Sequence, residues 1–222
     1  MLTDRCSLQP VALTPALHIM ARYTGPKTKV SRRYNVLLAG SARAFENKNY
    51  PPGMHGPKGA RRKISEYATA LAEKQKLRFQ YGVLERQFRR YFEAAARQRG
   101  VTGVILLQLL ETRLDNIVYR MGFAKTRFAA RQMVSHGHVQ VNGRKMDISS
   151  GNLKVGDVVT IREKANSRRL VQRGLEQTQI VNPPEWVLVD KETLTGKVVA
   201  IPTRDEINPL VNEQLVVELY SR

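Results

Sequence analysis

Two arginines and a pair of neighbouring cations are the residues of this sequence whose types and spacing point most directly to chemistry. Arg127 and Arg131 stand four residues apart, so on a helix both guanidinium groups project from one side, and no acid lies between them in the sequence. Arg144 and Lys145 follow an Asn-Gly pair, which predicts the tip of a β-hairpin. Cations grouped in this way bind anions, and arginine matches the geometry of phosphate especially well.

The sequence gives little support for a metal site, a disulfide or a catalytic centre. His136 and His138 raise the question of a metal site, but no cysteine, aspartate or glutamate stands beside them as a further ligand. The single cysteine, Cys6, excludes an internal disulfide and a cysteine-only zinc site. No serine, cysteine or carboxylate set has the arrangement of a nucleophilic or acid–base centre. We therefore expect no enzyme activity, no metal, no cofactor and no small-molecule substrate.

Two short helices must position these cations. Thr126 is a candidate cap for the second helix, and Gly122 and Gly137 can end the two helices by adopting the left-handed conformation. The apolar spacing leaves Arg113 and Arg120 pointing away from the packed face, and it places Arg127 and Arg131 outside the core. The predicted core residues are Leu114, Ile117, Val118 and Met121 in the first helix and Phe128, Ala130, Met133 and Val134 in the second.

After residue 137 the apolar period changes from helical to two. Val139 and Val141 alternate with polar residues up to the Asn-Gly turn, and a second alternation ends in Val158, Val159 and Ile161. The sequence thus predicts an α+β fold in which two helices pack on a small antiparallel β-sheet.

The charge of the chain is large and unevenly distributed. The net charge is +18 over 222 residues, which indicates a polyanionic partner, and nucleic acid is the one that we favour. Residues 20–112 hold 19 basic and 6 acidic residues and residues 113–174 hold 13 and 4, whereas residues 175–222 hold 4 and 8. No apolar run is long enough to span a membrane. We expect one surface that faces RNA and an acidic part that faces protein or solvent.

The stretch from 113 to 164 resembles the S-four-type RNA-binding module, in which two helices and a hairpin grip structured RNA. Because this module also occurs in several kinds of RNA-modifying and tRNA-charging enzymes, the resemblance implies RNA binding and leaves the kind of protein open. The residues of the module that we expect to contact RNA are Arg113, Lys125, Arg127, Arg131, His136, Arg144 and Lys145.

Residues 20–63 are rich in glycine, proline and cations and show little periodicity. We expect RNA contact to order this segment, with a flexible basic tail as the alternative. Its turn-rich loop from Tyr50 to Lys63 lacks the spacing of a P-loop, so phosphate-backbone docking fits better than nucleotide binding. The residues expected to contact RNA here are Arg22, Tyr23, Lys27, Arg32, Arg33, His55, Arg61, Arg62 and Lys63.

Helical periodicity begins after Ser65, a candidate N-cap, and glycines at 82 and 100 end the first two helices before a third runs from Thr102. Cations alternate with apolar and aromatic residues here, and we assign the aromatics to the core rather than to base stacking. The cations expected to face RNA are Lys74, Lys76, Arg78, Arg86 and Arg89.

The motifs PPGMHG, EKQKLRFQYGVLERQF, LLQLLETRLDN and VNEQLVVELYSR occur in the order found in bacterial-type small-subunit ribosomal protein four, and the sequence resembles that family from Met20 to Arg222. The resemblance implies a primary binder of 16S rRNA that clamps a multi-helix junction, nucleates assembly of the small subunit and contributes to decoding accuracy. Implied neighbours are small-subunit protein five and messenger RNA on its way into the subunit. Some family members carry a four-cysteine zinc knuckle, and this chain resembles the metal-free form.

The family comparison divides the chain into four parts. Residues 1–19 lack the cationic start of a secretory signal, and we interpret them as an extension from an upstream start codon, with an organelle transit peptide as the alternative. Residues 20–112 form the basic helical rRNA-binding domain and 113–174 the inserted module. Residues 175–222 form an acidic segment that the resemblance places back against the helical domain, with Trp186 as a core anchor. We expect a cytoplasmic location in the small ribosomal subunit, with an organelle as the alternative.

Three functional hypotheses remain: a structural rRNA-binding protein, an RNA-modifying or tRNA-charging enzyme, and a regulator that binds messenger RNA or a transcription complex. The second requires a catalytic domain, and residues 20–112 are too basic and too poor in acids for one. Crosslinking in cells, with identification of the bound RNA, separates all three.

Overall fold

The computed structural model describes residues 23–38, 42–48, 50–58, 64–178, 183–207 and 209–221. The N-terminal extension, Arg22 and the Arg61–Lys63 cluster lie outside these residues. The helices are α1 Lys27–Tyr34, α2 Ala42–Glu46, α3 Glu66–Gln80, α4 Glu85–Ala96, α5 Thr102–Glu111, α6 Leu114–Arg120, α7 Arg127–Ser135, α8 Ala165–Thr178, α9 Arg204–Ile207 and α10 Glu213–Ser221. The strands are β1 Val139–Val141, β2 Arg144–Lys145, β3 Val158–Ile161, β4 Val187–Asp190 and β5 Thr195–Val198.

Helices α3, α4, α5 and α10 surround the first hydrophobic core. The predicted cap is confirmed, because Ser65 Oγ accepts a hydrogen bond from the backbone N–H of Ala68 at 3.3 Å. Leu77, Phe88 and Leu106 are fully buried in this core, and Val216 of α10 completes it from the far end of the chain. The helical domain is therefore discontinuous in sequence, with its last helix contributed by residues beyond 200.

The second core lies between α6, α7 and the sheet. Of the four predicted core residues of α7, Ala130, Met133 and Val134 are buried, whereas Phe128 is only partly buried and faces the ammonium of Lys27. All four predicted stripe residues of α6 are buried, and Thr126 Oγ1 caps α7 by accepting from the N–H of Ala129 at 3.1 Å. The sheet is antiparallel, with the order β2-β1-β3-β5-β4. Asn142 and Gly143 both have positive φ, 50° and 77°, as a two-residue turn of type I′ requires. The predicted α+β fold with helices on a small antiparallel sheet is confirmed.

The acidic C-terminal segment differs from its expectation, which placed the whole of 175–222 against the helical domain. Strands β4 and β5 instead extend the sheet of the module, and Trp186 is buried in the second core, 3% exposed. Gly196 allows this arrangement, because a Cβ there would lie 2.5 Å from the Cε atom of Met121, the residue that follows α6. In the described chain beyond α8, the segment that joins the helical core contains Ile207, Val211 and Val216.

Candidate nucleic-acid interface

The joint between the two cores contains a buried carboxylate, Glu111, at the end of α5. Its carboxylate accepts hydrogen bonds from the hydroxyl of Tyr81 at 2.6 Å, the amide of Asn116 at 2.5 Å and the guanidinium of Arg120 at 2.7 and 3.0 Å. Burial by itself raises the pKa of this carboxyl, but the bonds and charge of Arg120, with the charge of Arg127, bring the pKa below its ordinary value of 4.5. Glu111 is therefore ionised at neutral pH.

A second buried carboxylate, Asp115, binds two arginines. Arg113 donates to it at 2.8 and 3.1 Å, and Arg131 donates at 2.6 and 2.8 Å. Arg131 also donates to the backbone carbonyls of Gly82 at 2.6 Å and Tyr81 at 3.0 Å, where α3 ends. Carbonyls at a helix C-terminus lack intrahelical partners and attract cations. Arg131 thus fastens α7 of the module to α3 of the helical domain.

Arg127 completes this group. Its Nε donates to the Oδ1 atom of Asn116 at 2.7 Å, and its guanidinium lies over the rings of Tyr81 at 4.9 Å and Tyr119 at 4.6 Å. We call the four arginines 113, 120, 127 and 131, together with Glu111 and Asp115, the arginine joint.

The structure corrects the expectation that Arg127 and Arg131 lie free of acids. Their side chains are only 16% and 13% exposed, and the neutralising carboxylates come from α5 and α6, which pack beside α7. Spacing within one helix cannot reveal acids that other helices supply. The expectation that Arg113 points away from the packed face is also wrong. Arg113 is 2% exposed, and besides its bonds to Asp115 it donates to the hydroxyl of Tyr91 at 2.6 Å.

Several predicted RNA contacts of the helical domain likewise bind within the protein. Lys74 is 8% exposed and forms an ion pair with Glu85 at 2.7 Å, and Lys76 pairs with Glu73 at 2.6 Å. Arg78 lies 3.8 Å from Glu85 and over the ring of Phe79. These acids supply the partners that the alternation of cations and aromatics did not show.

Some of the RNA contacts predicted in the N-terminal segment also bind within the protein. The ring of Tyr23, which the sequence predicted to contact RNA, instead packs edge-on against Phe79 with centroids 5.2 Å apart. Arg32 donates to the carbonyl of Tyr50 at 3.1 Å. Lys27 places its ammonium 4.0 Å from the ring centroid of Phe128, which connects α1 to the module. Tyr23, Arg32 and Lys27 are only partly exposed as a result.

The remaining predicted residues within the described part of the chain are exposed. On the helical domain, Arg86 and Arg89 lie on the outer side of α4, and although Arg89 lies 3.3 Å from Glu93 its side chain is 72% exposed. Other predicted contacts on exposed positions are Arg33, His55, Lys125, His136, Arg144 and Lys145.

Four of these exposed residues belong to one region of the module. Lys125 precedes α7, His136 follows it, and Arg144 and Lys145 form β2. The side chain of Lys145 lies against Gly137, so the hairpin and the end of α7 are neighbours. We call Lys125, His136, Arg144 and Lys145 the hairpin face.

Helix α8 carries exposed cations that were not among the residues predicted to contact RNA. Arg168, Arg169 and Arg173 are exposed on this helix, and Arg173 lines the same groove as Lys125 and His136 of the hairpin face. The sequence signal was available, because residues 166–177 were predicted to form a basic helix, but none of its cations was assigned to RNA.

Two negative findings concern the part of the chain that the structure describes. No three histidine, cysteine, aspartate or glutamate side chains come together as ligands for a metal ion. No helix there has the length and apolarity to cross a membrane.

Comparison with known proteins decides the family. The model of the ribosomal protein S4/S9 N-terminal domain matches residues 22–111, and the S4 domain model matches residues 112–159. The small ribosomal subunit proteins uS4 of Akkermansia muciniphila and Opitutus terrae are each 58% identical over 203 residues, which cover 91% of this chain and all of the relative. The uS4 protein of Persephonella marina is 53% identical with the same coverage. This chain belongs to the uS4 family.

Membership of the uS4 family makes the chain a ribosomal protein rather than an enzyme. The two family models meet between Glu111 and Thr112, at the arginine joint. The S4 domain match ends at residue 159, so α8 and the strands β4 and β5 lie outside it although they pack in the same core.

Proposed function

We propose that this chain is a structural constituent of the small ribosomal subunit that binds 16S rRNA directly and clamps a junction of several rRNA helices. The observation that carries the proposal is the arrangement of two exposed cationic regions, on α4 and on the hairpin face, around one buried ionic joint. The uS4 relatives, named as small ribosomal subunit proteins, support the assignment to that particle.

Phosphate contacts supply most of the affinity in this proposal. The deep major groove of A-form RNA hides base edges from side chains, so a protein that binds paired RNA reads mainly shape and backbone. Arg86 and Arg89 meet one rRNA helix, while Arg144 and Lys145 meet another. Because these side chains are exposed, they reach phosphates without breaking a buried interaction.

The joint sets the angle between the two contacts. Glu111 and Asp115 hold arginines of α6 and α7, and Arg131 also binds the end of α3, so the cationic regions have a fixed relative position before RNA binds. A binding surface that is already ordered loses less conformational entropy on association. This property suits a protein that binds early, nucleates assembly and presents a formed surface to later proteins.

The finer parts of the proposal follow from the family resemblance. We place small-subunit protein five beside this chain, with messenger RNA entering the subunit nearby, and we assign the chain a contribution to translational accuracy. Glu206 and Glu218, two acidic residues of the C-terminal part, are exposed and suit contact with a basic neighbouring protein rather than with RNA.

Binding of the purified full-length chain to 16S rRNA tests the proposal. We expect saturable binding that survives an excess of heparin or polyuridylate, together with co-sedimentation with small subunits reassembled from the other components. Equal affinity for 16S rRNA and for these polyanions, or sedimentation apart from the particle, contradicts the proposal.

A further inference from the structure

A groove of about 230 Å³ separates α7 from α8 and opens beside the hairpin face. Phe123 and Met133 line it but are only 0% and 4% exposed, so its accessible apolar surface comes from Ala129 and Leu170. Leu170 is 40% exposed on α8, where it follows the exposed Arg169. The groove therefore offers apolar surface to a partner.

The rim of the groove is cationic and polar. Lys125 and His136 of the hairpin face lie on the α7 side, and Arg173 lies on α8. Gln132 and Gln177 add side-chain amides, each of which can donate and accept hydrogen bonds. Of the described residues that line the groove, none is acidic. Its charge thus complements an anionic ligand.

One wall of the groove is held in place by a buried contact. The Nδ1 atom of His138 lies 2.9 Å from the hydroxyl of Ser167 on α8, which is fully buried. Burial of the ring lowers the pKa of His138, and so do the charges of His136, Arg162 and Lys164. The imidazole is mainly neutral at pH 7.5 and can form an uncharged wall.

We propose that this groove takes the base of one unpaired nucleotide of the bound RNA, while Arg173 binds a phosphate of the same nucleotide. The inference rests on the proposed function and adds a base contact to phosphate binding. Proteins recognise unpaired RNA bases by packing them on apolar or aromatic side chains and by hydrogen bonds to their edges. The apolar walls, the two amides and the cationic rim supply these three elements.

Nuclear magnetic resonance of the 15N-labelled full chain tests this proposal with small probes. The probes are the four nucleoside 5′-monophosphates, with ribose 5-phosphate as the matched compound that lacks a base. Stacking of a base on an aromatic ring is worth roughly 1–3 kcal/mol. Because the accessible side chains of the groove are aliphatic, we expect the lower limit, so at least one monophosphate should bind about fivefold more tightly than ribose 5-phosphate. The amide signals of Gln132 and Gly174 should move.

Three variants locate the site. Ala129→Leu fills the groove and should weaken the preferred monophosphate about fivefold, the loss expected when base packing is removed. Arg173→Ala and Arg169→Ala each remove one exposed cation from α8, but Arg173 lines the groove and Arg169 does not. Arg173→Ala should weaken binding and Arg169→Ala should leave it unchanged. Thermal unfolding of each variant shows whether the fold survives.

Three results overturn the inference: no monophosphate moves the groove signals, ribose 5-phosphate binds as well as the monophosphates, or Ala129→Leu binds like the wild type while folded. The affinity for 16S rRNA is measured separately on the same proteins. If that affinity is high and selective while the groove stays empty, the base contact fails and the proposed function stands. If selective rRNA binding itself is absent, the proposed function fails.

Discussion

The arginine joint and the hairpin face use similar residues for different purposes. In the joint, four arginines surround two buried carboxylates, and their charges bind within the protein. On the hairpin face, Arg144 and Lys145 are exposed, and the described residues show no ion pair for either. The comparison teaches that a cation's role depends on whether neighbouring elements supply an acid, which local sequence does not reveal.

The largest expected effect comes from breaking the joint at Glu111. Glu111→Gln leaves Arg120 and Arg127 without a buried counter-charge, and loss of one partner of a buried ion pair costs about 3–5 kcal/mol. Urea denaturation measures the change in the free energy of unfolding. Glu163→Gln is the control, because Glu163 is 88% exposed and lies 4.0 Å from Arg168, so its change should stay within about 0.5 kcal/mol. A loss below about 1 kcal/mol for Glu111→Gln, with two-state unfolding, contradicts the structural role.

Arg131→Ala should have the next largest effect. The substitution removes hydrogen bonds to Asp115 and to two carbonyls at the end of α3, while Arg113 still pairs with Asp115. We expect a loss of about 2–3 kcal/mol in the free energy of unfolding, since buried acceptors lose their donor. Arg168→Ala, at a side chain 57% exposed, serves as the control. If Arg131→Ala is as harmless as Arg168→Ala, Arg131 is free to serve RNA as the sequence alone predicted.

The hairpin face should respond in the opposite way. Arg144→Ala with Lys145→Ala removes two phosphate contacts, which reduces the affinity for 16S rRNA roughly 30-fold at 0.1 M salt and changes stability by less than about 0.5 kcal/mol. Filter binding measures the affinity. The control is Lys191→Ala with Lys197→Ala, which removes the same charge from exposed positions near β4 and on β5. Equal losses in the two double variants show that only net charge matters.

The smallest effect concerns pH. The pKa of His138 is lowered, so the unfolded chain binds a proton more readily than the folded protein. This contribution to stability is fully present above the ordinary pKa of 6.5 and is lost as pH falls towards the lowered value. His138→Asn should flatten the stability profile between pH 7.5 and 5.5. Identical profiles for the variant and the wild type, followed by urea denaturation, contradict this origin.

Local signals in the sequence predicted much of the fold. Ser65, Thr126 and the Asn142-Gly143 turn act through neighbouring atoms, and the apolar stripe of α6 depends only on helical spacing. Contacts between residues that are distant in the sequence could not be predicted in this way. The pairing of β3 with β5 joins residues about 37 positions apart, and such pairing depends on packing that periodicity does not encode.

In the candidate site, too, the sequence predicted some features and not others. The exposed positions of Arg144 and Lys145 follow from the hairpin turn, and the structure places both on the surface. The burial of Arg113, Arg127 and Arg131 depends on Glu111 and Asp115, whose placement requires α5, α6 and α7 to be packed together. Sequence reasoning therefore located the basic region and could not separate its structural cations from its exposed ones.

The salt dependence of binding to 16S rRNA tests this separation most directly. The logarithm of the affinity is measured against the logarithm of salt concentration for the wild type, for Arg144→Ala with Lys145→Ala, and for Arg131→Ala at a temperature where the protein stays folded. Each lost phosphate contact reduces the slope by roughly 0.7–0.9. We predict that the hairpin variant loses about twice that amount while Arg131→Ala keeps the wild-type slope. A slope that falls with Arg131→Ala and stays constant in the hairpin variant contradicts the account.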